Sequence, residues 1–295
     1  MKLLSFGEIL WDVYPSEKHI GGAPLNFAVH FAKQGGASYL LSSVGDDELG
    51  KSAVDMLRGW GIKTEYISVS KTEETGKCVV TLDAKGIPSY RLLGHVAYDN
   101  ITKPDFSNRN FDAFYFGTLA LRSAINRKTV SEIIKECAFK EIFVDINIRK
   151  PFVSKEAVKL AFQNATVIKI SEEELPVVTG LLFDAECDFI NAAKAMGKNF
   201  KNIKTVIITL GEKGSFAYDC KRDVPFFCDA EKVTVVSTVG AGDSFSAAFL
   251  YQYLCGFAIS ECLKAASKVS AFVVARAEAI PDDNATSDPP VSLKK

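Results

Sequence analysis

The residues best suited to chemistry lie late in the chain, in Val235-Val236-Ser237-Thr238-Val239-Gly240-Ala241-Gly242-Asp243-Ser244-Phe245. A β-branched run from Lys232 to Val236 predicts a strand. It feeds a turn with glycines at 240 and 242, and Ser244 to Tyr251 predicts a helix opening from that turn. The first N–H groups of a helix have no partner inside it and together carry about half a positive charge, so Gly240, Ala241 and Gly242 can present donors to an anion. Asp243 is out of place beside an anion unless it has another task. Taking the proton from a hydroxyl that attacks a phosphoryl group is such a task. Standing alone, the same four residues more often make a tight turn with the acid as a helix cap.

Other segments repeat the theme. Gly21-Gly22-Ala23-Pro24-Leu25-Asn26 is a second glycine pair ahead of a helix, with a proline suited to the first turn. It follows Gly7-Glu8-Ile9-Leu10-Trp11-Asp12, and Asp12 and Asn26 are short polar groups able to hold sugar hydroxyls. Phe143 to Arg149 sets Asp145, Asn147 and Arg149 at alternate positions, on one side of an extended strand end, where they need a phosphate, a hydrated metal or one another. Lys169-Ile170-Ser171-Glu172-Glu173-Glu174 follows another apolar run, and one of its acids can hold a hydrated Mg²⁺. Thr209-Leu210-Gly211-Glu212-Lys213-Gly214 ends a further run in a glycine-bearing turn. Each piece taken singly fits a turn, a cap or a salt-bridge network.

One motif is a decoy. Gly45-Asp46-Asp47-Glu48-Leu49-Gly50-Lys51-Ser52 matches the P-loop pattern letter for letter. A P-loop wraps bare N–H groups around polyphosphate, and here three of the four middle residues are acids. Unit charges about 4 Å apart at an effective dielectric near 20 interact by about 4 kcal/mol, so these carboxylates cancel what the backbone and Lys51 offer. The segment reads as a strand-to-helix connection with acids in the first helical turn, where the helix dipole favours them.

The elements that must position these groups are legible as a rhythm. Buried strands are predicted at 2–6, 39–44, 113–116, 141–145, 165–170, 205–210 and 233–236, and helices at 24–33, 51–60, 126–137, 154–163, 172–179 and 189–196. This alternation implies an α/β fold with a mainly parallel sheet and helices on both faces, whose ligands lie beyond the carboxyl ends of the strands. From Thr64 to His95 the pattern is instead strand-turn-strand (Tyr66 to Val69, Cys78 to Leu82, a turn at 83–86, Ser89 to Leu93), as in a lid or a subunit contact. The 295 residues allow one large domain or two smaller ones. With 35 basic and 36 acidic residues, no global field draws nucleic acid or a membrane. Seven scattered cysteines without a C-x-x-C pair argue against a disulfide framework or a zinc site. No leader or membrane-spanning stretch is legible, so a cytoplasmic protein is expected, with a tail that frays from Asp282.

In order along the chain, Gly7 to Asp12, Gly21 to Asn26, Val44 to Asp47, Thr75-Gly76, Ala97 to Asp99, Phe116 to Ser123, Asp145 to Arg149 and Gly240 to Asp243 resemble the PfkB (ribokinase-like) carbohydrate kinases, and the fructokinases among them. The resemblance covers Gly7 to about Pro281. It implies one ribokinase-like three-layer α/β/α domain over 1–295, with a small β-sheet lid made mainly by 64–95 and in part by 10–20, and a homodimer formed through that lid. It implies ATP and Mg²⁺ as cofactors and a small sugar, D-fructose first, as substrate. Asp243 would be the base, with Gly240, Ala241 and Gly242 as the anion hole; Asp12, Gly21, Gly22 and Asn26 would hold the sugar. Lys169, Thr209, Gly211 and Gly214 would line the nucleotide site, and Glu174 would organise Mg²⁺ through water. The rival substrates are 2-keto-3-deoxygluconate, ribose or a nucleoside, and the rival class is a non-catalytic sugar-binding protein of the same fold.

Two departures fall on one place. Relatives carry Asp-Thr before Gly-Ala-Gly-Asp where this chain has Ser237-Thr238, and Arg-x-Gly-Ala where it has Arg276-Ala277-Glu278-Ala279. The resemblance assigns these segments to a monovalent-cation site, so K⁺ activation is expected to be lost or altered, with Glu278 offsetting the missing Asp charge. Ser171 stands where many relatives have Asn, a milder change.

Overall fold

Strands buried on both faces need a helix layer on each side, and the computed structural model, which describes residues 1–82, 88–106, 110–183 and 188–282, has both layers. In chain order the elements are β1 (Lys2–Phe6), β2 (Leu10–Val13), β3 (Lys18–Gly21), α1 (Ala23–Lys33), β4 (Ala37–Gly45), α2 (Glu48–Gly59), β5 (Ile67–Ser70), β6 (Gly76–Leu82), β7 (Pro88–Leu92) and β8 (Ala113–Gly117). They continue with α3 (Ala124–Glu136), β9 (Glu141–Asp145), α4 (Lys155–Asn164), β10 (Val167–Ser171), α5 (Leu175–Phe183), α6 (Phe189–Asn199), β11 (Thr205–Thr209), β12 (Ser215–Asp219), β13 (Val224–Cys228), α7 (Ala241–Leu254) and α8 (Ile259–Val274).

Nine strands form one sheet in the order β13-β12-β11-β10-β9-β8-β1-β4-β5, parallel from β11 to β5 and closed at one edge by the antiparallel β12 and β13. On one face α3 to α6 bury Val130, Ile133, Val158, Phe162, Val178 and Met196. On the other, α1, α7 and α8 bury Phe27, Phe31, Phe249 and Leu263, with the Phe27 ring stacked on Tyr115 at 3.7 Å between centroids. A second sheet, β3-β2-β6-β7, is made of strands that leave the large sheet after β1 and after β5.

Several expectations are corrected. Tyr66 to Val69 does not belong to the small sheet: β5 pairs in parallel with β4 at the edge of the large one. Lys232 to Val236 is not a strand. Val236 and Ser237 both donate their N–H to the Val274 carbonyl, and Val233, Val235 and Val236 stay 42%, 63% and 60% exposed. β-propensity needs a pleated, half-buried neighbour, and none is offered there. The helix expected at 172–179 begins only at Leu175, after a turn through Glu172 to Glu174, with Pro176 in its first turn. The extended alternation expected past Asp145 also stops, because Asn147 turns to φ 42°. Helix α8 and the β12–β13 hairpin had no expectation. The turn at 83–86 and the tail beyond Asp282 lie outside the described residues.

The decoy resolves as the charge argument required. Asp47 caps α2 by accepting the Gly50 N–H at 2.8 Å, and accepts the Thr75 hydroxyl and N–H at 2.7 and 2.8 Å. These hydrogen bonds hold its carboxyl below the usual carboxylate range. An acid so engaged ties α2 to the start of β6 rather than facing a ligand.

Candidate active site

Beyond the carboxyl ends of the parallel strands, under the small sheet, lies a cleft of about 1300 Å³. Two helix N-termini meet at its floor. Helix α1 starts at Gly22, whose φ of 119° suits glycine, and a Cβ there would lie 2.4 Å from the Glu8 carbonyl oxygen. Helix α7 starts at Gly240, left-handed at φ 78°, where a Cβ would lie 2.7 Å from the Ala279 Cβ. Both glycines are therefore dictated by close backbone approach. Residues from the first turns of the two helices touch: Asn26 Nδ2 donates to Asp243 Oδ2 at 2.8 Å, across 217 positions of sequence.

Asp243 is half-buried, reachable only from the cleft. Burial, with Asp145 adding repulsion, raises its carboxyl from the ordinary 3.8 to about 6, while the Asn26 hydrogen bond and the charges of Lys169 and Arg149 oppose the rise. The group is thus poised to be ionised yet basic near neutral pH.

Behind it, Lys169 at the middle of β10 is buried and pairs with buried Asp145 at 2.8 Å, and the Ser246 hydroxyl from α7 donates to the same oxygen at 3.2 Å. Asp145 Oδ1 has no partner. The pair holds the Lys169 ammonium firmly charged despite burial, and Lys169 Nζ lies 3.4 Å from the space a Gly242 Cβ would fill. An ammonium beside a helix start, where Gly242 can still offer its N–H, is an anion cradle.

Glu174 takes the Ser171 N–H at 2.8 Å and the Ile148 N–H, and burial followed by Asp145 repulsion raises its carboxyl. The described residues contain no cluster of three or more acid, His or Cys side chains that could hold a metal. Glu174 close to Asp145, whose Oδ1 is free, still suits Mg²⁺, which keeps several waters and takes one or two carboxylates together with phosphates.

On the sugar side, Asp12 comes from the small sheet, where Cys78 is its neighbour across β2 and β6 and donates its thiol to the carboxylate. Burial nevertheless leaves the Asp12 carboxyl raised. Asp12, Gly21, Gly22, Asn26, Lys169, Ser237, Gly240, Gly242, Asp243 and Glu278 all line the cleft.

Five expected site residues do not line it. Ala241, the first residue of α7, gives its N–H to the Thr238 carbonyl, and Glu174 turns to the backbone N–H groups of Ser171 and Ile148. Thr209 accepts the Glu172 N–H on its carbonyl, Gly211 opens a short 3-10 turn, and Gly214 closes that turn where a Cβ would lie 2.0 Å from the Cys228 carbonyl. Conversely, Glu8 and Arg149 line the cleft without having been chosen as site residues. Glu8 sits within a quoted motif, and only its burial beside α1 marks it. Asn147 and Arg149 reach the cleft through the left-handed turn after β9 rather than by strand alternation.

A family profile for "pfkB family carbohydrate kinase" matches residues 6–286. The chain belongs to that family. This carbohydrate kinase is 32% identical over 282 residues to a fructokinase of Solanum tuberosum, covering 88% of this chain and 83% of the relative. An uncharacterized sugar kinase of Pyrococcus horikoshii, solved in complex with ATP, superposes with a TM-score of 0.76 at 27% identity over 94% of each chain. A Vibrio cholerae fructokinase bound to fructose, ADP and calcium superposes at 0.81, over 95% of this chain and 94% of that one; at 23% identity that likeness is one of fold. The kinase thus has the ribokinase-like α/β fold, a large mostly parallel sheet with a small second sheet.

Proposed function

We propose that this kinase transfers the γ-phosphoryl group of ATP to a hydroxyl of D-fructose, with Asp243 as the base. The observation that carries this reading is the Asn26–Asp243 hydrogen bond, which locks the helix start assigned to the sugar against the one assigned to the phosphate. A hydroxyl presented over Asp243 loses its proton to a carboxylate that is ionised at neutral pH. The transferring group is received by Gly240, Gly242 and Lys169, while Ala241 shapes the turn by giving its N–H to the Thr238 carbonyl. Phosphoryl transfer needs such positioning and charge stabilisation more than a strong base. Glu174 would hold Mg²⁺ through water, and the ion would supply charge that offsets the phosphates.

Fructose is preferred because the fructokinase of Solanum tuberosum is 32% identical over most of the chain. Asp12, Gly21, Gly22 and Asn26 hold it; Thr209, Gly211 and Gly214, at the end of β11, flank the nucleotide from outside the cleft. We assign the chain to a single kinase domain, with the small sheet as its lid and its dimer contact, working in the cytoplasm. No helix among the described residues is long and apolar enough to cross a membrane. A second reading, 2-keto-3-deoxygluconate, is favoured by one observation: the exposed guanidinium of Arg149 lines the cleft and suits a carboxylate.

Turnover with ATP and Mg²⁺ on D-fructose, 2-keto-3-deoxygluconate, ribose and a nucleoside, in wild type and Asp243→Ala, tests the assignment. Fructose should be fastest, and the variant should lose about 10²–10⁴ in kcat. A faster sugar acid would select the second reading. Equal turnover in the variant would refute the base, and no turnover on any acceptor would turn the reading to a binding protein.

A further inference from the structure

A sugar hydroxyl is both donor and acceptor, and the side chains assigned to the sugar leave it short of donors. Asp12 and Asp243 are acceptors, and Asn26 has one of its two amide N–H groups committed to Asp243, which leaves at most one side-chain donor among them. Glu8 lies beside them, in the link that carries the chain from β1 of the large sheet to β2 of the small one. Its side chain is only 3% exposed, yet it lines the cleft. The backbone N–H groups of Glu8 itself and of Ala23, the first residue of α1, favour its charge, yet one carboxyl oxygen, Oε2, is buried without a partner. A buried oxygen left this way costs free energy unless a ligand meets it.

The surroundings favour a proton there. Asp243 on α7 faces Glu8 with like charge, and Arg149 beyond β9 opposes that effect. Arg122 also feels Glu8; its Nε and Nη2 are held by Asp99, at 2.7 and 2.9 Å, while Nη1 has no partner, so it opposes the proton as Arg149 does. The hydroxyls of Tyr98 and, on β8, Tyr115 also feel Glu8, and burial keeps both protonated. With burial as the main cause, the Glu8 carboxyl rises from 4.5 to about 7.

We propose that Glu8 is a sugar-binding residue that works in its neutral form, with Oε2 carrying the proton and donating a hydrogen bond to an oxygen of the bound sugar. The role rests on the sugar-kinase reading and deepens it. Asp243 must be ionised and Glu8 neutral in the same cleft, so the enzyme works best in a window where one carboxyl has lost its proton and its neighbour has not. Sugar affinity then falls with rising pH while the chemical step improves.

The test is KM and kcat at saturating MgATP, at about pH 6 and about pH 8.5, for wild type, Glu8→Gln and Glu8→Ala, on whichever of D-fructose and 2-keto-3-deoxygluconate the wild type turns over faster. Wild-type KM should rise by about ten-fold or more across this range. Glu8→Gln keeps an N–H donor and cannot titrate, so its KM should stay near the low-pH wild-type value at both pH values, with kcat within about three-fold of wild type. Glu8→Ala should raise KM about ten-fold or more at the lower pH. Thermal melting of the isosteric Gln variant shows that its fold is kept. A KM that rises with pH in Glu8→Gln as it does in wild type, or an unchanged KM in Glu8→Ala, would overturn the proposal. No turnover by the wild type itself would overturn the kinase reading beneath it, a result distinct from either.

Discussion

Asp243 shows how one residue is made useful by neighbours that come from everywhere in the chain. Asn26 from α1, Lys169 from β10 and Arg149 beyond β9 favour its charge, while burial and Asp145 oppose it, leaving the carboxyl at about 6. With the ionised form as the proposed base, kcat should climb as pH rises through about 6 and level off above about 7. A pH–rate profile at saturating sugar and MgATP checks this; a profile still flat down to about pH 5 would mean that a lower carboxyl, or none, limits the step. Asp145 and Lys169 act on the same acid from behind. They are largely buried partners at the cleft floor, and removing one leaves the other as an uncompensated charge.

At the scale of elements, the segment before α7 and the end of α8 form one structure. Val236 and Ser237 hang from the Val274 carbonyl, Gly240 is packed against Ala279, and the His30 ring meets the Ala279 carbonyl at 2.8 Å. The two departures from the family pattern, Ser237 and Glu278, therefore sit on adjoining strips at the cleft wall. The Ser237 hydroxyl accepts the Val239 N–H at 3.2 Å, a local turn that needs no ion. Replacing K⁺ by a bulky organic cation should leave turnover within about two-fold, an effect below about 0.5 kcal/mol. A loss of ten-fold or more would show that the cation site survived both substitutions. The strand expected at 232–236 failed for the reason the loop exists: its valines had the right chemistry and no sheet edge to join.

For the whole molecule, the cleft is a local debt of stability. In the folded state Glu8 and Asp243 hold their protons up to about 7 and about 6, against ordinary values of 4.5 and 3.8. Between about pH 4 and pH 7 the folded chain therefore binds more protons than the unfolded one, so their contribution is fully present at the acid end and is lost as pH rises. Glu8→Gln should raise Tm at pH 8 and leave it unchanged at about pH 4, by on the order of 2 kcal/mol or several degrees. An equal shift at both pH values would mean that the gain came from packing.

The sequence by itself determined most of the layers. Strands that read as unbroken apolar runs are buried on both faces because a parallel sheet demands it, and residues 45–52 were recognisable as a strand-to-helix connection because three acids cannot cradle phosphate. It also marked Asp12, Asn26, Lys169 and Asp243, not singly, since each piece alone fits a turn, a cap or a salt bridge, but through the resemblance that the motifs carry in their order along the chain. Only the tertiary structure decided who meets whom. It joined Asn26 to Asp243, moved β5 out of the small sheet, gave Gly214 a packing reason of its own, and drew Glu8 into the cleft. Periodicity is a local property of a chain, read within one element. Burial and pairing of charges depend on contacts between elements far apart in sequence, and so does the affinity of a carboxyl for its proton.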